Sequence, residues 1–505
     1  MGMPGLADRR PVAVSFAAFI LIGVLGSSPA WAAESGSAAD IPYGVGKWDE
    51  PLGNHRARLV VDAAAPALRA SIEWRRCDPD VEKKDVLVVD ARNGKPVANR
   101  VVAAINRERG EVVFQASTAG EYYVYYMPCN PGRSAFPTAR YNPPKETAAA
   151  DWLAANRLRQ GDLPAGEWKK LPQAKVLAFQ ARTDFDSVYP MEVIATAQEI
   201  RDLLARHGGK AFLLFPEDRR FPIRMTDDLP LRWMRTGPAG RFAGKAQPGE
   251  YYVFQVGLYA VKGPAKRVAI RPGDVVDAGG KVVVPAGGIT CFNLAGRDWL
   301  GRPMQMDLTV PEGKVQAMWL GMQIPPDASA GLHRGEVTVS AEGAPPAKVS
   351  LEIEVAGEQL PDCGDGELWR LSRLRWLNSD LGVDDELVPP FTAVTVNGDE
   401  VGVLGRRIRF GETGLPASIV STFAATPDRA DAPSREILNG PVAFVAQTPA
   451  GAAQWKSQPA KLLRQAPGAV YRQSDSQAGP LRLSCWSKTE CDGYTNFRIK
   501  LTADT

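Results

Sequence analysis

The chain is 505 residues long and carries 60 lysines and arginines against 57 aspartates and glutamates, a formal net charge of +3. No basic block is dense enough to neutralise a phosphate backbone, which excludes nucleic acid as a partner. Hydrophobic residues make up 45% of the sequence. The length suits roughly three or four domains with cores of their own.

The first residues read as an export signal. Arg9 and Arg10 precede an apolar run from Val12 to Leu25, and Ala30-Trp31-Ala32 places small residues where signal peptidase requires them. The run is about 14 residues, too short for a bilayer that needs roughly 20. A Sec-type signal peptide removed after Ala32 is therefore predicted, against an uncleaved anchor or, from the paired arginines, the twin-arginine route. No later stretch is apolar enough to cross a membrane. The mature chain is expected to be secreted or periplasmic.

Strand follows strand from Ile41 to about residue 135. Arg58 to Asp62, Leu68 to Arg75 and Asp85 to Asp90 are β-forming runs, and Asn93-Gly94 supplies the dihedrals of a tight turn. Val101 to Ile105 and Glu111 to Ala116 make hairpin arms around Arg107 to Gly110, and the tyrosine-rich run Gly120 to Tyr126 ends the block. Turn signals about every ten residues predict a sandwich of immunoglobulin type.

A proline-rich connection, 136–209, holds a strand and one helix. The helix is predicted over Pro190 to His207, where Val193, Ala197, Ile200 and Leu204 share an apolar face and Gly208-Gly209 suits the stop. Residues 210–357 form a second β block, with strands at Val315 to Ile324, Gly335 to Ser340 and Lys348 to Val355. In it Gly249-Glu250-Tyr251-Tyr252-Val253 repeats the pentapeptide that begins at Gly120. Residues 364–505 form a third block. Asn397-Gly398 joins Thr392–Val396 to Val401–Leu404, and later strands fall at Val442 to Ala446, Leu481 to Ser484 and Asn496 to Leu501. The sequence stops just after a strand, so this domain is expected to be incomplete. The predicted fold is mainly β: tandem sandwiches, one helix, and a C-terminal β domain.

Six cysteines in an exported chain suit disulfides, with Cys77–Cys129 and Cys485–Cys491 as the plausible pairs and free thiols as the alternative. Without a Cys-x-x-Cys, zinc and thioredoxin-type redox readings lack support. No metal or cofactor is expected.

Familiar catalytic motifs are missing from the sequence: no Gly-x-Ser-x-Gly, no phosphate loop, no His-Glu-x-x-His. The three histidines, His55, His207 and His333, lie in separate segments, which argues against a Ser-His-Asp triad. Two acids about 5 to 10 Å apart can hydrolyse a glycoside. Glu217-Asp218 and Asp384-Asp385-Glu386 are the candidates, although neighbouring acids on loops are more often solvated charges, and Arg219-Arg220 suggests local ion pairing. Sugars also stack on Trp and Tyr while Arg, Asp or Asn hydrogen-bond their hydroxyls. Asp298-Trp299 and the segment holding Trp369, Arg373, Arg375 and Trp376 have those types. The competing role is to plug seams between sandwiches.

Gly249-Glu250-Tyr251-Tyr252-Val253-Phe254-Gln255-Val256-Gly257 and Gln316 to Pro325, followed by Ala330 to Val339, resemble strands of the N-terminal sandwich in glycoside hydrolase family 123. Phe215 to Met225 and Ser372 to Ser379 are similar to large secreted glycoside hydrolase domain-containing proteins, and the third block resembles the start of a β-supersandwich. The family carries its catalytic acids in a (β/α)8 barrel downstream of the sandwich and hydrolyses N-acetylgalactosaminides with help from the acetamido group. No alternating β/α run of about 250 residues is present here, so the family's Asp-Glu pair has no position to be carried onto. The resemblance implies a carbohydrate partner and the non-catalytic front portion of a secreted glycoside hydrolase, its catalytic domain missing from this sequence. A stand-alone carbohydrate-binding or adhesion protein, and a complete hydrolase or lyase with a cleft between the second and third blocks, are the alternatives.

Overall fold

A computed structural model describes residues 41–132, 139–298, 301–380, 385–426, 428–448 and 451–503. The predicted signal peptide, Trp299 and Asp384 lie outside the described residues.

Alternation builds the first sandwich. In His55–Val61 the side chains of Ala57, Leu59 and Val61 enter the core, leaving Arg56 and Arg58 on the other face. This strand belongs to a sheet ordered Tyr43–Val45, Lys175–Ala181, His55–Val61, Gly120–Tyr125 and Leu87–Asp90. The facing sheet runs Ala65–Ile72, Gly110–Ala116, Arg100–Ile105, and Leu68, Ile72, Phe114 and Tyr122 fill the gap. The connection as far as Ala181 packs onto this domain. Lys175–Ala181 inserts beside His55–Val61, and Trp152, Leu153, Leu158 and Trp168 cover Ala67 and Val113 on the outside of the second sheet.

The helix is shorter than predicted, Ala197–His207. Thr196 caps it: its hydroxyl accepts from the Glu199 N–H (3.2 Å) while Glu199 accepts from the Thr196 N–H (2.7 Å). Arg75 fixes Glu199 with a 2.7 Å ion pair. Before the cap the chain is extended, Val193 bridging Arg76 and Ile194 bridging Pro230. Pro190 and Val193 are therefore outside the helix.

The second domain has three layers. Phe212–Asp218, Tyr251–Ala260, Val315–Gln323 and Ile289–Cys291 form one antiparallel sheet. Against it lies a sheet built on Arg241–Ala246, Ala347–Val355 and Gly331–Ser340. All ten residues of Tyr251–Ala260 are buried, because the short helix Leu231–Thr236 and the helix Ala197–His207 cover the sheet's remaining face. Trp233 packs so tightly that a Cβ at Gly257 would lie 2.7 Å from its ring.

The third domain packs the sheet Thr395–Asn397, Glu400–Val403, Arg406–Phe410, Pro416–Ser421 and Arg435–Glu436 against a second one. That second sheet joins Lys461–Gln465, Ala469–Ala478, Leu481–Glu490 and Thr495–Ala503. Residues 442–446, predicted as a strand, are irregular, and Val445 is 70% exposed.

Neither proposed disulfide forms; all six cysteines are free. Cys485 lies in the middle of the strand Leu481–Glu490, and Cys491 follows directly after its end. Six residues of strand separate them by about 20 Å, and a bridge needs Cα atoms within about 7 Å. Cys129 is buried with its thiol 3.9 Å from the Glu50 carbonyl, while burial beside Glu192 and Asp78 pushes the Cys77 thiol up to about 11.

Two stability changes follow from this packing. Trp233→Ala should lower the urea-unfolding free energy by about 3–5 kcal/mol; a loss below about 1 kcal/mol would contradict the three-layer core. His55 is 5% exposed, and burial lowers its pKa from 6.5 to about 4. The fold therefore holds the neutral ring, so stability is complete above about 6.5 and falls as pH drops towards 4, by roughly 3 kcal/mol. His55→Gln should flatten that slope in unfolding measured across the same window.

Candidate functional site

The chain leaving the second sandwich turns back onto the sandwich's own edge. Gly249 adopts φ +78°, and a Cβ there would lie 2.7 Å from the Leu360 carbonyl oxygen, so only glycine admits the returning segment. Leu360 N–H donates to the Pro248 carbonyl (2.9 Å) and Tyr251 N–H to the Cys363 carbonyl (3.0 Å). The returning chain then forms two 3-10 turns, Leu368–Arg370 and Ser372–Asn378.

A buried charge cluster locks this return. Glu250 has no exposure at all, and one of its oxygens meets Arg219 at 2.5 Å and Arg370 at 3.0 Å. The Gln247 N–H donates to the other oxygen (2.8 Å), and the Gln247 side chain accepts from Arg370. Arg219 also donates to the Arg370 carbonyl (3.3 Å), with its guanidinium between the rings of Tyr252 and Trp369 at 4.6 and 4.9 Å. Alongside, Gln255 is fully buried. It accepts from the Ile223 N–H (2.8 Å) and donates to the Phe221 carbonyl (3.2 Å).

The predicted sugar-contacting residues sit on the outside of this lock. Trp369 is 51% exposed, with its indole N–H on Glu367 (2.8 Å). Trp376 is 54% exposed, and the Arg373 guanidinium lies 5.1 Å from its ring. Arg373 donates to the Asp365 carbonyl (3.0 Å), and Arg375 grips the Asp365 carboxylate with both terminal nitrogens, one at 2.7 Å. Arg375 is thus committed to holding the turn. The Ala295–Arg297 strand packs alongside, since a Cβ at Gly296 would lie 3.2 Å from the Asn378 amide oxygen. Asp298, however, pairs with Arg302 (2.7 Å) inside its own hairpin. Two half-exposed indoles remain as the candidate stacking surface, Trp369 with the Arg219 and Arg370 guanidiniums 4.9 and 4.6 Å from its ring and Trp376 with Arg373.

The paired carboxylates are poor acid–base partners. Glu217 and Asp218 are consecutive in the strand Phe212–Asp218, which sends their side chains to opposite faces. Burial pushes the Glu217 carboxyl up, opposed by Arg232 and by the Trp233 N–H, both at 3.0 Å. Asp218 pairs with Arg220 (2.8 Å), as the local ion-pair reading expected, whereas Arg219 goes to Glu250 instead. Asp385, 3% exposed, accepts from the Tyr471 hydroxyl (2.9 Å) and pairs with Arg464 and Lys488, each at 3.0 Å. Burial works against the Lys488 ammonium, yet Glu490 and Asp385 hold its pKa above its ordinary value.

Arg219, Glu250 and Gln255 were not picked out by their chemistry. The available signal was a charge and an amide inside a run of apolar strand residues with no partner nearby in sequence. Glu250→Gln should leave the buried Arg219 guanidinium without its counter-charge and Arg370 with Glu367 alone (3.3 Å), and destabilise the protein by about 3–5 kcal/mol. Chemical unfolding, with faster hydrogen exchange across 358–380, reads this; wild-type protection there would disprove the lock.

A model of the glycoside hydrolase 123 N-terminal domain matches residues 46–182, and one of the glycoside hydrolase 123 third domain matches residues 394–505. The strands that carry the resemblance, Tyr251–Ala260 and Val315–Gln323, lie between the two matches. Among solved structures the chain is similar to a family 123 glycoside hydrolase from Clostridium perfringens, studied for glycolipid glycan hydrolysis. Identity is 14%, over 30% of this chain and 28% of that one, with a TM-score of 0.24. It is also similar to the CupB2 chaperone of Pseudomonas aeruginosa, at 10% identity over 52% of this chain and 97% of that one, TM-score 0.17. Superpositions this loose carry no functional weight. The chain spans 28% of the length of the Clostridium enzyme, and no curated protein matches it. With the first and third blocks both matched by its domain models, the chain belongs to glycoside hydrolase family 123.

Proposed function

We propose that this chain is the non-catalytic accessory portion of an exported glycoside hydrolase, holding or orienting a catalytic domain that acts on a glycan. The observation that carries this reading is the state of the candidate acids. Glu217 and Asp218 face opposite ways, and Asp385 and Glu250 are buried among basic side chains. Most glycoside hydrolysis uses a protonated and an ionised carboxyl at one site, and these four described acids do not converge as such a pair. The described sheets are sandwiches whose pairings are mostly antiparallel, the architecture of support rather than of a barrel mouth.

A free-standing carbohydrate-binding protein is the second reading, favoured by the exposure of the Trp369 and Trp376 indoles. Export after cleavage near Ala32 belongs to both readings, and N-terminal sequencing of the exported protein tests it.

Purified chain is expected to release no aglycone from aryl N-acetylgalactosaminides and no reducing ends from glycans. Turnover that disappears in a Glu217→Gln or Asp385→Asn variant would overturn the accessory reading. Trp369→Ala combined with Trp376→Ala separates the two readings on a glycan array: lost glycan binding favours the binding protein, and unchanged binding favours a supporting role.

A further inference from the structure

The outer face of the C-terminal sheet carries chemistry that the fold does not use. Ala469–Ala478, Leu481–Glu490 and Thr495–Ala503 pair in register, which lines up Gln473, Trp486 and Arg498 in one rank and Asp475, Ser484 and Lys500 in the next. The intervening residues Ser474, Ser476, Leu483, Cys485 and Ser487 are buried against the opposing sheet. Strand alternation therefore turns both ranks outward.

One end of this face is closed, where Asp385 sits on Tyr471, Arg464 and Lys488. The rest is open and basic. Lys456 and Lys461 border it through their pairing with Gln477 and Gln473, and Arg498 and Lys500 are exposed on the outermost strand. Only Lys461 among these four has an ion pair with a described residue, Asp475 at 3.7 Å. Lys456, Arg498 and Lys500 have none among the described residues. In the middle, the Trp486 ring is partly exposed with the Arg498 guanidinium 5.9 Å from its centroid. Beside it Gln473 (2.9 Å) and the Ser484 hydroxyl (2.7 Å) fix Asp475.

We propose that this face binds an anionic polysaccharide, one bearing uronate carboxylates or sulfate esters, with Trp486 stacking on a sugar ring and Arg498 and Lys500 pairing with its charged groups. Cross-strand neighbours stand about 5 Å apart and same-face neighbours along a strand about 7 Å apart, so the charges form a grid that a chain of charged sugars can follow. Guanidinium groups match carboxylate and sulfate-like oxygens with two hydrogen bonds at once. The amide, hydroxyl and carboxylate between the cations offer partners to sugar hydroxyls. An anionic membrane fits less well, because peripheral binding needs apolar side chains to enter the interface and this face presents one indole.

Affinity electrophoresis of the full chain through gels containing polygalacturonate, alginate or chondroitin sulfate, with dextran as the neutral control, tests it. Retardation is expected with at least one anionic polymer and not with dextran, and it should vanish in 1 M salt, where the screening length is about 3 Å. Arg498→Gln with Lys500→Gln, both exposed and so compatible with folding, should weaken binding about tenfold, and Trp486→Ala should do so as well. No retardation by any of the three polymers, equal retardation by dextran, or a double variant that binds like the parent overturns the proposal. So does binding to phosphatidylglycerol vesicles in the absence of polysaccharide binding.

Discussion

The Glu250 carboxylate, shut away from water between Arg219 and Arg370, brings together three places in the chain: the exit of one strand, the entry of the next, and the segment that leaves the second sandwich. A lone buried charge is strongly unfavourable, and two guanidiniums around one carboxylate are tolerable only while every partner stays in place. The hydrogen bonds from Gln247 and to the Arg370 carbonyl satisfy what the ion pairs leave over. The arrangement therefore permits essentially one path for residues 358–380. The exposed position of Trp369 is a consequence of that path, because the residue beside it is the one pulled inward.

Period-two strands were legible wherever one face is apolar and the other polar. Ala57, Leu59 and Val61, or Val112 and Phe114, announce themselves by alternation. Pairing between distant segments was less legible. Nothing local in Lys175–Ala181 says that it lies beside His55–Val61, so this strand read as part of a connection instead of as part of the first sandwich. The helix start was misplaced for a related reason. Val193 continues the helical spacing by coincidence while bridging Arg76, and the boundary is set by the reciprocal bonds of Thr196 and Glu199. The Cys485–Cys491 pair failed on distance, since residues close in sequence are far apart when a strand runs straight between them.

At the candidate site, residue types were readable and commitments were not. Trp369, Arg373 and Trp376 stand at the surface as their chemistry suggested. Arg375 and Asp298 have the same chemistry, yet each is taken by a partner, Asp365 or Arg302. A sequence lists donors and acceptors but does not say which are already satisfied. That is a property of the fold, and it separates a binding group from a structural one.

The third domain shows the same distinction across a single sheet. Its inner face is only modestly apolar, with Arg472, Ser474, Ser476 and Ser487 buried alongside Leu483 and Cys485. Arg472 is satisfied by Asp399 (2.6 Å) and the Gly398 carbonyl (3.1 Å) from the facing hairpin. The core proper, around Val401, Ile408, Phe410 and Val470, lies towards one end of the strands. At the other end Ile499 and Leu501, on the inner side by register with Cys485 and Leu483, are 43% and 45% exposed. These strands extend further than their own core accounts for. The backbone ladder, with Ser474, Cys485 and Ser487 buried beneath it, holds the outer rank of Gln473, Trp486 and Arg498 at the spacing the proposed ligand would use.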